Sequence, residues 1–291
     1  MGRIPRRHTY EYCLRISIYN TDRRILNEIR ETWGGTLTSV ASRNPSWKPS
    51  YALIWTNAAA ARFLSEIAPY LRVKSRQAAT LEEFQRRLAK ARRRRDRRGR
   101  LLPLSASEMK VREAFYRRIK DLNMKGSVSA KRRRRFRPRP RDSGIPTVEY
   151  LAGFVDAEGC LRLTKRLVEG WNPQYGARIQ LSNTNRRVLD DLRQKFGGIL
   201  TSHHRRNLRW KDEYQIVWIG RTVEPLLRAV ERYLRIKREH ARILLQFINH
   251  RKSVRQGRMG PRFGRLPNHV IAYREARYLR MKELNAKGPS S

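Results

Sequence analysis

Residues 150–160 read Tyr150-Leu151-Ala152-Gly153-Phe154-Val155-Asp156-Ala157-Glu158-Gly159-Cys160. Thr147, just upstream, suits a helix cap, and Glu149 falls in the first turn, where the helix dipole favours an anion. Gly159 marks the stop. Gly153 and Ala157 lie four apart and give one helix face without bulk, against which a second helix can pack closely. Beyond the stop, Cys160–Arg166 alternates as a strand, with Leu161 and Leu163 on one side and Arg162, Thr164 and Arg166 on the other. Glu158 is the anomaly. It sits at the negative end of the helix dipole, where a carboxylate is disfavoured unless a cation neutralises it.

The stretch opens a unit that the chain contains twice. Shifting the sequence by 163 residues lays Tyr12–Asn57 on Tyr175–Gly220 without a gap, and 20 of the 46 pairs are identical. The match extends to Leu71-Arg72-Val73-Lys74 over Leu234-Arg235-Ile236-Lys237, and to a final helix, Arg112–Gly126 over Arg274–Gly288. Such self-similarity means one structural unit used twice. The first unit spans residues 1–126 and the second 146–291. Between them, 127–145 is rich in Arg and Pro, a composition for an extended linker. Basic runs also fill Arg92–Arg100 and Arg251–Arg265.

Periodicity gives each unit the same plan. Cys13–Tyr19 alternates as a half-buried strand, as does its copy, with Ala177, Ile179 and Leu181 inward. Thr21–Trp33 and Thr184–Phe196 have helical spacing, begin after Asn-Thr and end at Gly-Gly. Strands follow at Gly35–Ser42 with Tyr51–Trp55, and at Gly198–Arg205 with Tyr214–Ile219. Amphipathic helices then start near Ala58 and Val223. The fold class is α+β: two pseudo-symmetric units, each an antiparallel sheet backed by helices.

The chain holds 67 Lys and Arg against 25 Asp and Glu, a formal charge of +42. Arg dominates, and its guanidinium forks onto phosphate, so a nucleic-acid backbone is the expected partner. The charge is spread along the chain and not confined to one amphipathic helix, which argues against a membrane surface. No apolar run reaches the ~18–20 residues of a membrane span, and the N-terminus lacks the apolar core of a secretory signal. Two cysteines, Cys13 and Cys160, make neither a disulfide framework nor a zinc site. A reducing interior, cytoplasm or organelle, is expected.

Leu151–Gly159, followed by a strand and then the repeated unit, resembles the signature of the LAGLIDADG homing endonucleases. The resemblance implies a saddle-shaped sheet in each unit and a site-specific endonuclease that hydrolyses both strands of a long DNA target. It implies Mg²⁺ (or Mn²⁺) as cofactor and an origin in an intron or similar mobile element. By matching position, Glu158 would be the metal-binding acid, with the Ala157 carbonyl as a second oxygen. Lys237 would be the basic residue near the scissile phosphate, with Lys74 its twin. Asn183 and Asn20 would order active-site water, although each also suits a helix cap. Asp156 reads as a structural helix residue. Arg162, Thr164, Arg166, Arg178, Gln180, Ser182 and Gln215 would read the groove, with Arg15 and Ser17 in the first unit, since Arg and Gln pair bidentately with guanine and adenine. His203 and His204, being adjacent on a strand, point to opposite faces and make a poor joint metal site. Trp47, Trp55, Trp210 and Trp218 suit core or strand-pair positions.

The first unit departs from this pattern. The counterpart of the motif falls upstream of Met1, so this unit is expected to lack the motif helix and its first strand. Three explanations stay open: a truncated or misassigned start, a dimer through the one motif helix in place of a pseudo-twofold monomer, or a non-cutting relative. The last would be a nucleic-acid binder on the same scaffold, either an intron-RNA maturase or a DNA-binding regulator.

Overall fold

A computed structural model describes residues 1–6, 9–41, 44, 47–90, 97–98, 104–123, 146–167, 169, 172–203, 212–256 and 266–286. The linker 127–145, most of Arg92–Arg100, residues 257–265 of the second basic run, His204 and Trp210 lie outside them. Apart from short loop segments, the described residues fall into two compact units, one within residues 1–143 and the other within 144–291.

The second unit begins with helix α5 (Val148–Glu158), capped by the Thr147 side chain, which accepts from the Tyr150 N–H at 3.3 Å. Strands β6 (Gly159–Arg166), β7 (Gln174–Asn183), β8 (Ile199–His203) and β9 (Glu213–Ile219) form one antiparallel sheet in the order β6-β7-β9-β8. Helix α6 (Arg186–Phe196) lies between β7 and β8, and α7 (Val223–Val230), α8 (Arg238–Gln256) and α9 (Asn268–Leu284) follow β9. Alternation sends Leu161, Leu163, Tyr175, Ala177, Ile179, Leu181, Ile216 and Trp218 into the core, with Leu226, Leu227, Leu244 and Phe247 from the helices. The opposite face carries Arg162, Thr164, Arg178, Gln180, Ser182 and Gln215, with Val217, Ile199 and Ile219 toward β8 and the end of β9.

The first unit repeats this plan. Strands β3 (Arg15–Asn20), β4 (Thr36–Val40) and β5 (Ser50–Thr56) form a sheet in the order β3-β5-β4, with α1 (Arg23–Trp33) between β3 and β4. Helices α2 (Asn57–Ile67), α3 (Ser75–Lys90) and α4 (Ala106–Asn123) complete it. Its opening corrects the expectation of a missing first strand. Strand β1 (Gly2–Arg6) pairs antiparallel with β2 (Thr9–Cys13), and Arg3 faces Tyr12 as Lys165 faces Tyr175. By this register Gly2, Arg3 and Ile4 match Thr164, Lys165 and Arg166, the end of β6. Leu14 interrupts what is a continuous ten-residue strand, β7, in the second unit. Two boundaries also move. The caps of α1 and α6 are Asp22 and Asn185, not the Asn-Thr pair, and α8 extends through Gln256 into the expected basic connection.

Two duplicated contacts fix the units, and both rest on residue pairs shared by the copies. The Tyr12 hydroxyl donates to Glu113 at 2.5 Å, and Tyr175 makes a short hydrogen bond to Glu275, so each last helix is tied to the opening strands. Burial and the Glu113 bond raise Tyr12 to about 12, and burial with Glu275 raises Tyr175 further still. Glu113 is held below the usual carboxylate range first by Tyr12, and Glu275 first by Lys165. These bonds stabilise the fold above the ordinary Glu value of 4.5 and weaken as pH falls below it. At the other end they weaken as pH rises past the ordinary Tyr value of 10.0.

The second contact is at the Gly-Gly pairs. Gly197 caps α6 with φ 66°, and Gly198 follows with φ 101°. The Trp218 indole donates to the Phe196 carbonyl at 3.0 Å and lies 2.9 Å from where a Gly198 Cβ would sit. Gly35 and Trp55 repeat this arrangement. Space around Gly197 is open. Gly197→Ala should therefore cost about 1 kcal/mol, from its left-handed φ alone. Gly198→Ala should cost roughly 2–4 kcal/mol, from strain plus overpacking on Trp218. Urea unfolding of both variants checks this, and equal losses would contradict it.

Candidate functional site

The site is built at the end of α5. Glu158 is the last helical residue, and Gly159 is already the first residue of β6, paired with Leu181. No loop intervenes. Gly159 is extended (φ −78°) and not left-handed, so its role is close approach: a Cβ there would lie 2.4 Å from the Val155 carbonyl oxygen. The helix thus delivers Glu158 directly to the edge of the sheet. Its carboxylate is exposed and, among the described residues, accepts no hydrogen bond and joins no ion pair. In a chain with 67 basic residues, that is an unusual place to find an unpaired acid.

Beside Glu158, the helix end is clamped. The Asp156 carboxylate accepts the main-chain N–H groups of Arg235 and Lys237 at 2.7 and 2.8 Å. The Lys237 ammonium turns back onto the Val155 carbonyl at 3.1 Å and onto the Asp156 carbonyl. Cationic donors suit a helix C-terminus, where carbonyls lack partners. Burial lowers the Lys237 pKa from the ordinary lysine value, and Asp156 opposes the shift. Lys237 is therefore bound to the helix end that carries Glu158. Lys74, expected to be its twin, is exposed.

Asn183 and Asn20 lie at the ends of β7 and β3, where each side chain accepts a main-chain N–H two residues on (2.8 Å in both). They lead the chain into its caps. Gly153 and Ala157 are exposed on α5, and nothing lies within 4 Å of a Cβ added to Gly153.

The open face of the second sheet gathers the expected groove readers. Arg162 and Arg178 are directly opposite, Gln180 faces Cys160, and Ser182 faces Gln215. Gln215 donates to Ser182 at 3.3 Å, and Arg178 to Gln180 at 3.2 Å. Thr164 spends its hydroxyl proton on the Gly176 carbonyl at 3.1 Å, and Arg166 is exposed at the strand end. The Nε atoms of Arg162 and Arg178 are buried without a protein acceptor. Like charges directly opposite on a sheet repel, so this pair is arranged for an anion. In the first unit Arg15 is exposed opposite Thr56 and Ser17 is half-buried opposite Ile54. His203 is within 3.4 Å of Thr201 on an exposed strand end. Among the described residues, no three His, Cys, Asp or Glu side chains converge.

Sequence reasoning missed two contributors. The Tyr175–Glu275 bond, with Lys165 on Glu275 at 2.8 Å, anchors α9 to β6 and β7 behind the open face. Identical residues in both copies were the available signal. Asp156 was expected to be structural; its reach to residues 235 and 237, about 80 positions away, has no local signature.

Arg178→Gln should leave the free protein as stable or up to ~0.5 kcal/mol more stable, since it relieves a like-charge pair. It should weaken duplex DNA binding about tenfold or more. Melting and titration together check this, and lost stability with unchanged affinity would contradict it.

Comparison with known proteins agrees with this geometry. The profile of the LAGLIDADG endonuclease family matches residues 151–249. The chain has no significant match among curated protein sequences. The structure of I-SmaMI bound to cleaved DNA is similar at a TM-score of 0.62 to 0.63 across its several forms; for the cleaved-DNA form identity is 11%, covering 94% of this chain and 87% of that one. I-AabMI bound to uncleaved DNA is similar at a TM-score of 0.63 and 14% identity, covering 96% of this chain and 93% of that one. Among the described residues, no helix is long and apolar enough to cross a membrane. The family's sequence pattern therefore lies in the second unit, and the fold of nearly the whole chain is that of solved LAGLIDADG homing endonucleases.

Proposed function

We propose that this chain is a site-specific endonuclease of duplex DNA that uses Glu158 to hold a divalent cation, Mg²⁺ or Mn²⁺. One observation carries the reading: an exposed, unpaired carboxylate at the wrong end of a helix dipole, delivered to the edge of a sheet whose open face bears two guanidiniums with Nε atoms lacking a protein acceptor. The residues fit such an ion. Mg²⁺ takes one or two carboxylates and completes its shell with water and substrate phosphate, so a single protein acid suffices at this end of the site. Glu158 would hold it, with the Ala157 carbonyl in the same last turn. When bound, the ion supplies an activated water and a counter-charge for the leaving oxygen.

The chain's own residues do the rest. Arg162 and Arg178 bind the duplex, and their forks suit guanine edges or phosphate. Gln180, Ser182 and Gln215 offer hydrogen bonds to base edges along the same rows, with Arg166 at the strand end. Arg15 and Ser17 serve the first unit's sheet. Lys237 holds the helix end on which Glu158 stands, and exposed Lys74 is free to reach a phosphate. Contact with the backbone positions the duplex, and the base-edge contacts carry the sequence information.

The reading is tested by cleavage of the uninterrupted host-gene junction. Wild type should cut with Mg²⁺ and only bind with Ca²⁺. Glu158→Gln should bind with similar affinity and lose at least about 10³-fold in rate. Tight binding without cutting by the wild type, in either metal, would contradict the proposal and point to a nucleic-acid binder on this scaffold.

A further inference from the structure

The sequence Leu-Arg-Ile-Lys at 234–237 has a near copy at 71–74, and the two lysines occupy opposite environments. Lys237 is half-buried, with its ammonium on two main-chain carbonyls of α5, whereas Lys74 is exposed. Local sequence cannot account for this, because the two segments differ only by Val73 against Ile236. What differs is the helix above the turn: among the described residues the first unit has no counterpart of α5, whose end both lysine and turn meet in the second. Asp156 grips the 235 and 237 amides with both carboxylate oxygens, at 2.7 and 2.8 Å.

We propose that Asp156 is a positioning residue of the cleavage site: it docks the Leu234–Lys237 turn under the end of the motif helix and so sets where Lys237 and Glu158 stand. The inference rests on the nuclease reading above and deepens it. The physical basis is threefold. A carboxylate accepting two main-chain N–H groups forms two charge-assisted hydrogen bonds, each stronger than a neutral one. Those bonds fix the backbone from which the Lys237 side chain departs. The ammonium then compensates the negative helix end beside Glu158, which would otherwise repel that carboxylate. Removing the Asp156 carboxylate frees the turn, and the Lys237 ammonium loses its fixed place on the helix-end carbonyls. Small displacements of groups that act on a reacting centre cost rate while leaving substrate binding intact.

The test uses the full chain and a duplex selected from a random library by its binding to the wild type in Ca²⁺. Three quantities are measured for wild type, Asp156→Ala, Lys237→Met and the double variant: amide exchange at residues 235 and 237, affinity in Ca²⁺, and the single-turnover cutting rate in Mg²⁺. In Asp156→Ala the two amides should exchange at least about tenfold faster, since each loses its acceptor. Affinity should stay within about twofold, while cutting slows about tenfold or more. The double variant should cut no more slowly than the slower single, because both act through one group. Asp156→Asn, which retains one acceptor, should fall between wild type and alanine, and it serves as the folded reference where Asp156→Ala does not fold. Unchanged amide exchange, unchanged cutting, or a double variant that loses the product of the two single effects would overturn the proposal. A wild type that binds and never cuts would sink the nuclease reading, and the exchange measurement would still decide the docking.

Discussion

The site depends on one junction, the passage from α5 into β6 without a connecting residue. Gly159 serves both elements: its amide closes the helix on the Val155 carbonyl, and its place in the ladder opposite Leu181 starts the strand. A side chain at 159 would collide with that carbonyl. Because nothing separates helix from sheet, the position of Glu158 is set by the sheet itself. The Asp156 clamp on the 234–237 turn then ties the same helix end to the segment that leads into α8. An acid at a helix C-terminus costs energy, and here the surroundings are organised to hold it there.

Charge explains the rest. A formal +42 far exceeds what solubility needs, and the open face of the second sheet sets two guanidiniums opposite each other without a protein anion between them. Such a surface is electrostatically suited to a polyanion. Meanwhile each unit spends its few carboxylates on specific tasks. Glu113 and Glu275 tie the last helix to the opening strands, Asp156 docks a turn, and Glu158 is left exposed.

Much of this was legible in the sequence. Alternation in Leu161–Thr164 and Ala177–Leu181 gave the sheet faces, and the Gly-Gly pairs gave the ends of α1 and α6, since only glycine takes φ near 101° against a tryptophan. Thr147 was readable as a cap because its reach is local. What escaped was long-range or short. β1 escaped because five residues starting at Gly2, one of them proline, carry too little pattern; only the ladder against β2 defines them. The environment of Lys237 escaped because its partners lie about 80 residues away. The twin lysines read alike in sequence and differ in structure, which shows that a repeat fixes backbone more firmly than it fixes side-chain roles.

The central claim is that Glu158 holds the metal. Its most direct test is the anomalous signal of Mn²⁺ in crystals of the chain with its cognate duplex. The account predicts a peak about 2.0–2.3 Å from a Glu158 carboxylate oxygen, also bound by phosphate oxygen. Mn²⁺ seated elsewhere, with the Glu158 carboxylate free in solvent or paired to an arginine, would contradict it.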